Sequence, residues 1–343
     1  MTSTETQRRG LLVRETDGAY RLTIEEAPIP APAEREVLVR VHAASLNRRD
    51  VYVLKGQYPM PPRPRIVPLS DGAGEVVELG SGVTRFKVGD RVAASFFQRW
   101  VRGRPGADTL ASALGGQLDG MLSEYVCLCE DGLVGIPGGC SFEEAATLPC
   151  AAVTAWNGLM TRGRMRPGDH VLVLGTGGVA IFGLQFACAA GGRAILTSSS
   201  DAKLTRARDL GAVAAINYST TPQWSDAVRA ATGGVGVQQI LEVAARTVQQ
   251  SLASLAPGGH IALIGGLAGF GGEVPAMALV HANATASGIY VGSRANFEAM
   301  NAFIEQHRIR PVIDRVYDLA DAADAYERID AGRHIGKVVI SLR

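Results

Sequence analysis

The sequence predicts an α/β protein in two parts: a barrel-like β domain and a doubly wound, parallel, six-stranded sheet. Three observations lead there. The chain has 343 residues, more than one ordinary core accommodates. Its first half carries short β-branched runs closed by glycine or aspartate turns. From residue 151 onward, near-continuous apolar runs alternate with helical stretches, the pattern of a parallel sheet covered on both faces.

In the first half, "EVLVRVHAASL", "DGAGEVVELG" and "GDRVAAS" read as strands, between proline-rich stretches such as "APIPAP" and "YPMPPRPRIVP". In the second, the strands are "HVLVLG", "RAILTSS", "VAAINY", "QQILEVA", "HIALIGG" and "ASGIYVGS". The stretch "DAKLTRARDLGA" between two of them is helical, with Asp201 near its start and Gly211 near its end. The C-terminal "GKVVISL" is again a strand and is expected to return to the first domain.

Composition removes several function classes. A formal net charge of +1 gives no electrostatic footprint for nucleic acid or an anionic membrane. No apolar run approaches the roughly 20 residues that span a bilayer, and "MTSTETQRRG" lacks the apolar run of a signal peptide. The five cysteines form no CxxC pair and no disulfide spacing. The expectation is a cytoplasmic enzyme of small molecules.

The strongest local signal is "VLVLGTGGVAIFGLQFA". Gly175, Gly177 and Ala180 form GxGxxA between a strand and a helix opening at Val179. Gly175 allows the tight turn, Gly177 the approach of a pyrophosphate, and Ala180 close packing of helix on strand. The helix N-terminus, with Gly178 and Val179, supplies free N–H groups to the phosphates. The next strand ends in "TSSSDAK". Hydroxyls of Ser198 and Ser199 and the Lys203 ammonium suit a 2′-phosphate, which a carboxylate at the strand end would repel. NADPH is therefore favoured, with NADH as the alternative and a solvated helix face as the bland reading of the same residues.

Across nearly the whole chain, "AASLNRRDVYVLKGQYP", "DGAGEVVELGSGVTRFKVGDRV", "LPCAAVTAW", "VLVLGTGGVA", "LGAVAAINY", "PGGHIALIGG" and "GKVVISL" recur in an order and spacing similar to those of the medium-chain dehydrogenases/reductases. Within them the chain resembles the zinc-free, quinone-oxidoreductase-like branch. The resemblance implies a GroES-like β-barrel domain over residues 1–150 and 300–343 and a Rossmann domain over 151–299, with substrate and nicotinamide in a cleft. It also implies a homodimer or homotetramer, with "ASGIYVG" as the edge strand that pairs across subunits.

Zinc-dependent relatives hold a catalytic metal through Cys, His with a neighbouring acid, and Cys. Those positions read here as Asn47, Ser70 with Asp71, and Cys150. That set falls short of the three nitrogen, sulfur or carboxylate ligands that catalytic zinc needs. The four-cysteine lobe of relatives with structural zinc matches "SFFQRWVRGRPGADTLASALGG", which has no cysteine. No metal is expected, and Cys150 reads as a small apolar wall residue.

Without a Lewis acid, hydrogen-bond donors must stabilise the charge that hydride transfer places on oxygen. That favours quinones and α,β-unsaturated carbonyl compounds, whose charge delocalises. By resemblance, Asn47, Tyr52 and Tyr58 line the active cleft: Asn47 to hold the carbonyl, Tyr52 to donate a proton or a hydrogen bond, since a phenol stays protonated at neutral pH. Thr154, Gly265, Gly292 and Ser293 match positions beside the nicotinamide, and Tyr218 one near the 2′-phosphate. The bland alternatives are turn, packing and capping roles. Two other readings stand beside this one: an NAD(P)-dependent alcohol dehydrogenase for aldehydes and ketones, and a non-catalytic NADPH-binding protein.

Overall fold

The computed structural model describes residues 5–60, 63–265 and 273–343. The chain divides into two compact units, Met1–Cys150 with Gly292–Arg343, and Ala151–Val291.

The first unit opens with the hairpin β1 (Thr6–Arg14) and β2 (Tyr20–Pro28), and β3 (Glu36–Leu46) runs into helix α1 (Arg48–Leu54). Strands β4 (Arg65–Ile66), β5 (Asp71–Leu79), β6 (Arg91–Ala94), β7 (Tyr125–Cys129) and β8 (Leu133–Gly135) follow. β4 joins the hairpin, in the order β2-β1-β4. The core-facing positions of β3, Val37, Val39, Val41 and Leu46, are at most 1% exposed, and they meet Val76, Val92 and Leu122 in one apolar cluster. Leu38, Ala43, Ala44 and Ser45 are buried too, so β3 is covered on both sides along most of its length.

The second unit carries β9 (His170–Leu174), α2 (Gly178–Ala189), β10 (Arg193–Ser198), α3 (Asp201–Asp209), β11 (Ala214–Asn217) and α4 (Trp224–Ala231). It continues through β12 (Val237–Glu242), α5 (Val248–Ser254), β13 (Leu255–Leu263), α6 (Ala276–Ala282) and β14 (Thr285–Gly288). The strand order is β11-β10-β9-β12-β13-β14, with every pair parallel. This is the doubly wound order whose chain reverses direction between β9 and β12, where such sheets open a ligand crevice. Leu172, Ile195, Ile240 and Ile261 are fully buried at its centre. Gly266, the last residue of the predicted strand "HIALIGG", lies outside the described residues. The predicted strand "ASGIYVGS" is shorter than expected: β14 ends at Gly288, and Val291 adopts φ 56° with its carbonyl accepting from the Asn157 amide at 2.7 Å. A β-branched residue in that region cannot continue a strand.

The chain then returns to the first unit through α7 (Arg294–His307), β15 (Ile313–Asp318), α8 (Ala322–Asp330) and β16 (Lys337–Ser341). The return comes at Gly292, earlier than the residue 300 read from sequence, because α7 is bonded to the β unit. The N–H groups of Arg294 and Ala295 donate to the Trp100 and Val101 carbonyls at 2.8 and 3.0 Å, and the Asn301 amide donates to Gly135 O at 2.9 Å. "GKVVISL" does return as a strand, and β16 pairs antiparallel with β3 in the sheet β15-β16-β3-β5-β6-β8, with β7 also on β3.

Candidate active site

The order β16-β3-β5 gathers three chain ends into one place. Asn47 follows the last residue of β3, Asp71 opens β5 and Lys337 opens β16; the antiparallel registers set Ser45 against Asp71 and Leu46 against Val338. The Lys337 ammonium is buried and donates to Leu46 O at 2.7 Å, to Asn47 Oδ1 at 2.6 Å and to Asp71 Oδ2 at 3.4 Å. Three N–H donors thus meet three acceptors. Asp71 is fully buried and accepts in addition from Ser70 Oγ at 2.7 Å and from the Cys150 backbone N–H at 3.3 Å. The residue before them, Leu69, is held at φ 68°. Gly115 and Gly120 make room for that backbone, since a Cβ on either would fall within 2.7 Å of Leu69 N or 2.1 Å of Leu69 O.

Asn47 is the N-cap of helix α1, and its backbone N–H donates to Asp50 Oδ2 at 2.8 Å, the returning half of a capping box. Burial raises the Asp50 carboxyl from 3.8 to about 6, against the opposing pull of the Arg49 guanidinium and the Asn47 N–H. Arg49 anchors the segment that replaces the four-cysteine lobe, donating to Leu114 O at 2.8 Å and Gly115 O at 3.2 Å while lying 4.8 Å from the Phe96 ring centroid. Phe96, Phe97 and Trp100 are buried and pack this segment against itself. Sequence reading missed the work of both arginines: Arg48 in turn donates to Ile329 O and Asp330 O at 3.2 and 3.0 Å.

The predicted residues divide accordingly. Asn47 stands in the Lys337–Asp71 cluster. Tyr52 lies one turn along α1 under the Arg48 guanidinium, 5.1 Å from its ring centroid. Tyr58 sits beside Arg49 at 5.5 Å and packs on the satellite cluster of Leu12, Tyr20, Val53 and Ile66. Cys150 belongs to the polar cluster rather than to an apolar wall, and burial together with the Asp71 carboxylate pushes its thiol far up. These donors do not fit a catalytic zinc. Oδ1 of Asn47 is engaged by an ammonium, Ser70 Oγ is bonded to Asp71, the thiol resists ionisation, and a resident cation already neutralises the carboxylate.

In the second unit the glycine turn leaves backbone open at the start of a helix. Gly175 adopts φ 80° with open space where a Cβ would stand. Gly177 is the N-cap of α2 and makes no side-chain cap bond, so the first-turn N–H groups at Gly178, Val179 and Ala180 have no partner inside the helix. The helix starts at Gly178, one residue before the predicted Val179. Ala180 is buried, but the residue that lets helix and sheet touch is Gly183, where a Cβ would lie 2.4 Å from Leu241 Cδ1 and 3.1 Å from Val173 Cγ1. Ser198 is buried at the end of β10, its hydroxyl accepting from Ser200 N at 3.3 Å; Ser199 is exposed and Lys203 half-buried. Asp201 is the first residue of α3 and accepts from the Asn217 amide at 2.8 Å. Tyr218 is exposed beside them, its N–H on Ser198 O at 3.0 Å.

Thr154 is buried in a helical run interrupted by π turns on both sides, over Leu148–Ala152 and Asn157–Arg162, a feature common at functional sites. Gly265 adopts φ 74° and donates to Glu242 O at 3.2 Å. Buried Glu242, which sequence reading did not single out, ends β12 and ties down the next loop, accepting from the N–H groups of Ala244 and Ala245 and the hydroxyls of Thr247 and Ser251. After Gly292, Ser293 caps α7: its hydroxyl accepts from Asn296 N at 3.2 Å. Arg294 is held by Asp131 at 2.8 Å and Glu298 at 3.3 Å.

The chain matches the alcohol dehydrogenase GroES-like domain family over residues 33–138 and the zinc-binding dehydrogenase family over residues 178–306. It is 45% identical to a zinc-type alcohol dehydrogenase-like protein of Schizosaccharomyces pombe, covering 96% of this chain and 97% of that one. A solved structure of a putative alcohol dehydrogenase from Sinorhizobium meliloti superposes with a TM-score of 0.92 at 41% identity, over 99% of this chain and 100% of the other. A second, described as an NAD-dependent alcohol dehydrogenase, gives 0.85 at 32% identity over 97% and 99%. The chain belongs to the medium-chain dehydrogenase/reductase superfamily and is an oxidoreductase of its zinc-type alcohol dehydrogenase-like family.

Proposed function

We propose that the protein is a zinc-independent, NADPH-dependent reductase of quinones or α,β-unsaturated carbonyl compounds. One observation carries the reading: a buried Lys337 ammonium, not a metal-ligand set, stands among Asn47, Asp71 and Cys150. A delocalised enolate or hydroquinone anion needs less stabilisation than a localised alkoxide, so a preorganised amide donor in a low-dielectric site suffices where a simple ketone would call for a Lewis acid. When bound, the cofactor supplies the hydride. Its pyrophosphate would rest on Gly175, Gly177 and the first turn of α2. Its 2′-phosphate would meet Ser198, Ser199 and Lys203, where Asp201, the acid that follows the serines in the sequence, is hydrogen-bonded to Asn217. Tyr52, Tyr58, Thr154, Tyr218, Gly265, Gly292 and Ser293 remain assigned to the substrate and nucleotide as their family positions imply. A homodimer or homotetramer would use the edge strand β14; Met277 and Val280 of α6, the helix that packs on β13, are exposed.

The names of the relatives favour a second reading, an alcohol dehydrogenase for aldehydes and ketones. NADPH consumption with 2-cyclohexen-1-one, 1,4-naphthoquinone and benzaldehyde separates the two. Turnover of the first two with little of the third supports the proposal. Turnover of benzaldehyde alone, with NADH equally effective, overturns it in favour of the dehydrogenase. NADPH binding with no turnover of any acceptor would point to a non-catalytic nucleotide-binding protein.

A further inference from the structure

The Asn47 amide has two ends with different fates. Its oxygen receives the Lys337 ammonium at 2.6 Å. Its nitrogen Nδ2 is buried and finds no hydrogen-bond partner among the described residues. An ammonium has no acceptor to offer, so it fixes which end of the amide faces it. Turning the amide over would set two N–H donors against a cation and leave the ammonium short of an acceptor. Lys337 is itself immobilised by Leu46 O and by Asp71, which Ser70 and the Cys150 N–H hold in turn. A buried donor left unpaired costs about 1–3 kcal/mol, a cost that an incoming oxygen atom removes.

We infer that Lys337 is a positioning residue that locks the Asn47 amide with Nδ2 directed to the substrate carbonyl oxygen, and that it strengthens that donor by polarising the amide through Oδ1. The second effect follows because hydrogen bonds in a chain reinforce one another in a low-dielectric setting. The inference rests on the reading that a carbonyl compound is the substrate, but not on which carbonyl compound.

The test uses the whole protein with NADP+ bound, so that no turnover is needed, and reads the C=O stretch of added 2-cyclohexen-1-one by infrared difference spectroscopy. In the wild type the stretch moves to lower frequency than in water. Asn47→Asp retains an oxygen for Lys337 and should fold, yet it has no N–H to give: the shift disappears, and in turnover kcat falls by about 10²–10³-fold, the usual effect of one oxyanion donor, with KM little changed. Lys337→Met frees the amide to turn, so the shift shrinks, and Lys337→Arg restores it. In an Asn47→Ala background Lys337→Met lowers kcat no further, as expected of a residue that acts through its neighbour. A shift retained in Asn47→Asp, or losses that add in the double variant, would overturn the inference. Should Lys337→Met not fold, Asn47→Asp decides alone. If benzaldehyde shows the amide-dependent shift and cyclohexenone does not, the enone reading fails and the positioning role stands. If neither probe shifts in the wild type, the positioning role is wrong.

Discussion

The two candidate sites are built on opposite principles. The nucleotide turn of the second unit is made of backbone: glycines at 175 and 177, a helix start and a strand end, all within about one βαβ unit of sequence. The cluster of the first unit is made of buried side-chain charge, and its partners Asn47 and Lys337 stand 290 residues apart. A backbone site tolerates most changes except those that add atoms or strain. A charged buried site tolerates almost none, because deleting either partner strands the other in a medium that cannot solvate it.

The sharpest way to break this contrast is Lys337→Met. It leaves the Asp71 carboxylate buried without its cation, and the first unit should lose about 3–5 kcal/mol in chemical denaturation. Lys337→Met combined with Asp71→Leu should recover much of that loss. Equal stability of wild type and single variant would show that the pair is solvated.

Next in size is a pH effect at Asp50. The fold favours its protonated form, with the carboxyl raised from 3.8 to about 6. Its contribution is therefore fully present below about pH 4 and is lost as pH rises through about 6, amounting to ~3 kcal/mol for a shift of about two units. The stability difference between wild type and Asp50→Asn should narrow or change in wild type's favour on acidification across that window. A pH-independent difference would contradict the raised value.

In the second unit, Gly183→Ala should cost about 1–3 kcal/mol by overpacking α2 on β9 and β12, and it should weaken NADPH along with it, since the turn is carried on that helix. Smallest is Lys203→Ala. Titration by tryptophan quenching should show NADPH weakened about tenfold, or ~1.4 kcal/mol, with NADH unchanged; equal losses for both nucleotides would remove Lys203 from the 2′-phosphate.

The same contrast explains what could be read from the chain beforehand. The alternating strands and helices of the second unit and its glycine turn are local signals, each visible in a short window, whereas the order of the strands in the sheet came only from the structure. Asn47 was legible through its position in "SLNRRD". Lys337 was not: in "GKVVISL" it reads as the polar start of a strand, and nothing nearby announces that antiparallel pairing of β16 on β3 will bury it against Asn47. Tyr58 shows the same limit from the other side: nothing in its proline-rich loop announces that its half-buried ring packs against the cluster of Leu12 and Ile66. Gly183 was hidden by Ala180, which already satisfied the motif. The turn at Val291 had no signal at all, because a valine at φ 56° is stabilised by the Asn157 amide 134 residues away.

The most direct test of metal-free reduction is elemental analysis for zinc on protein dialysed against a chelator, paired with NADPH-dependent reduction of 2-cyclohexen-1-one by the same sample. Undiminished turnover without stoichiometric zinc is the predicted result. Turnover that vanishes on chelation and returns with added zinc would contradict it and would require ligands other than Asn47, Ser70 and Cys150.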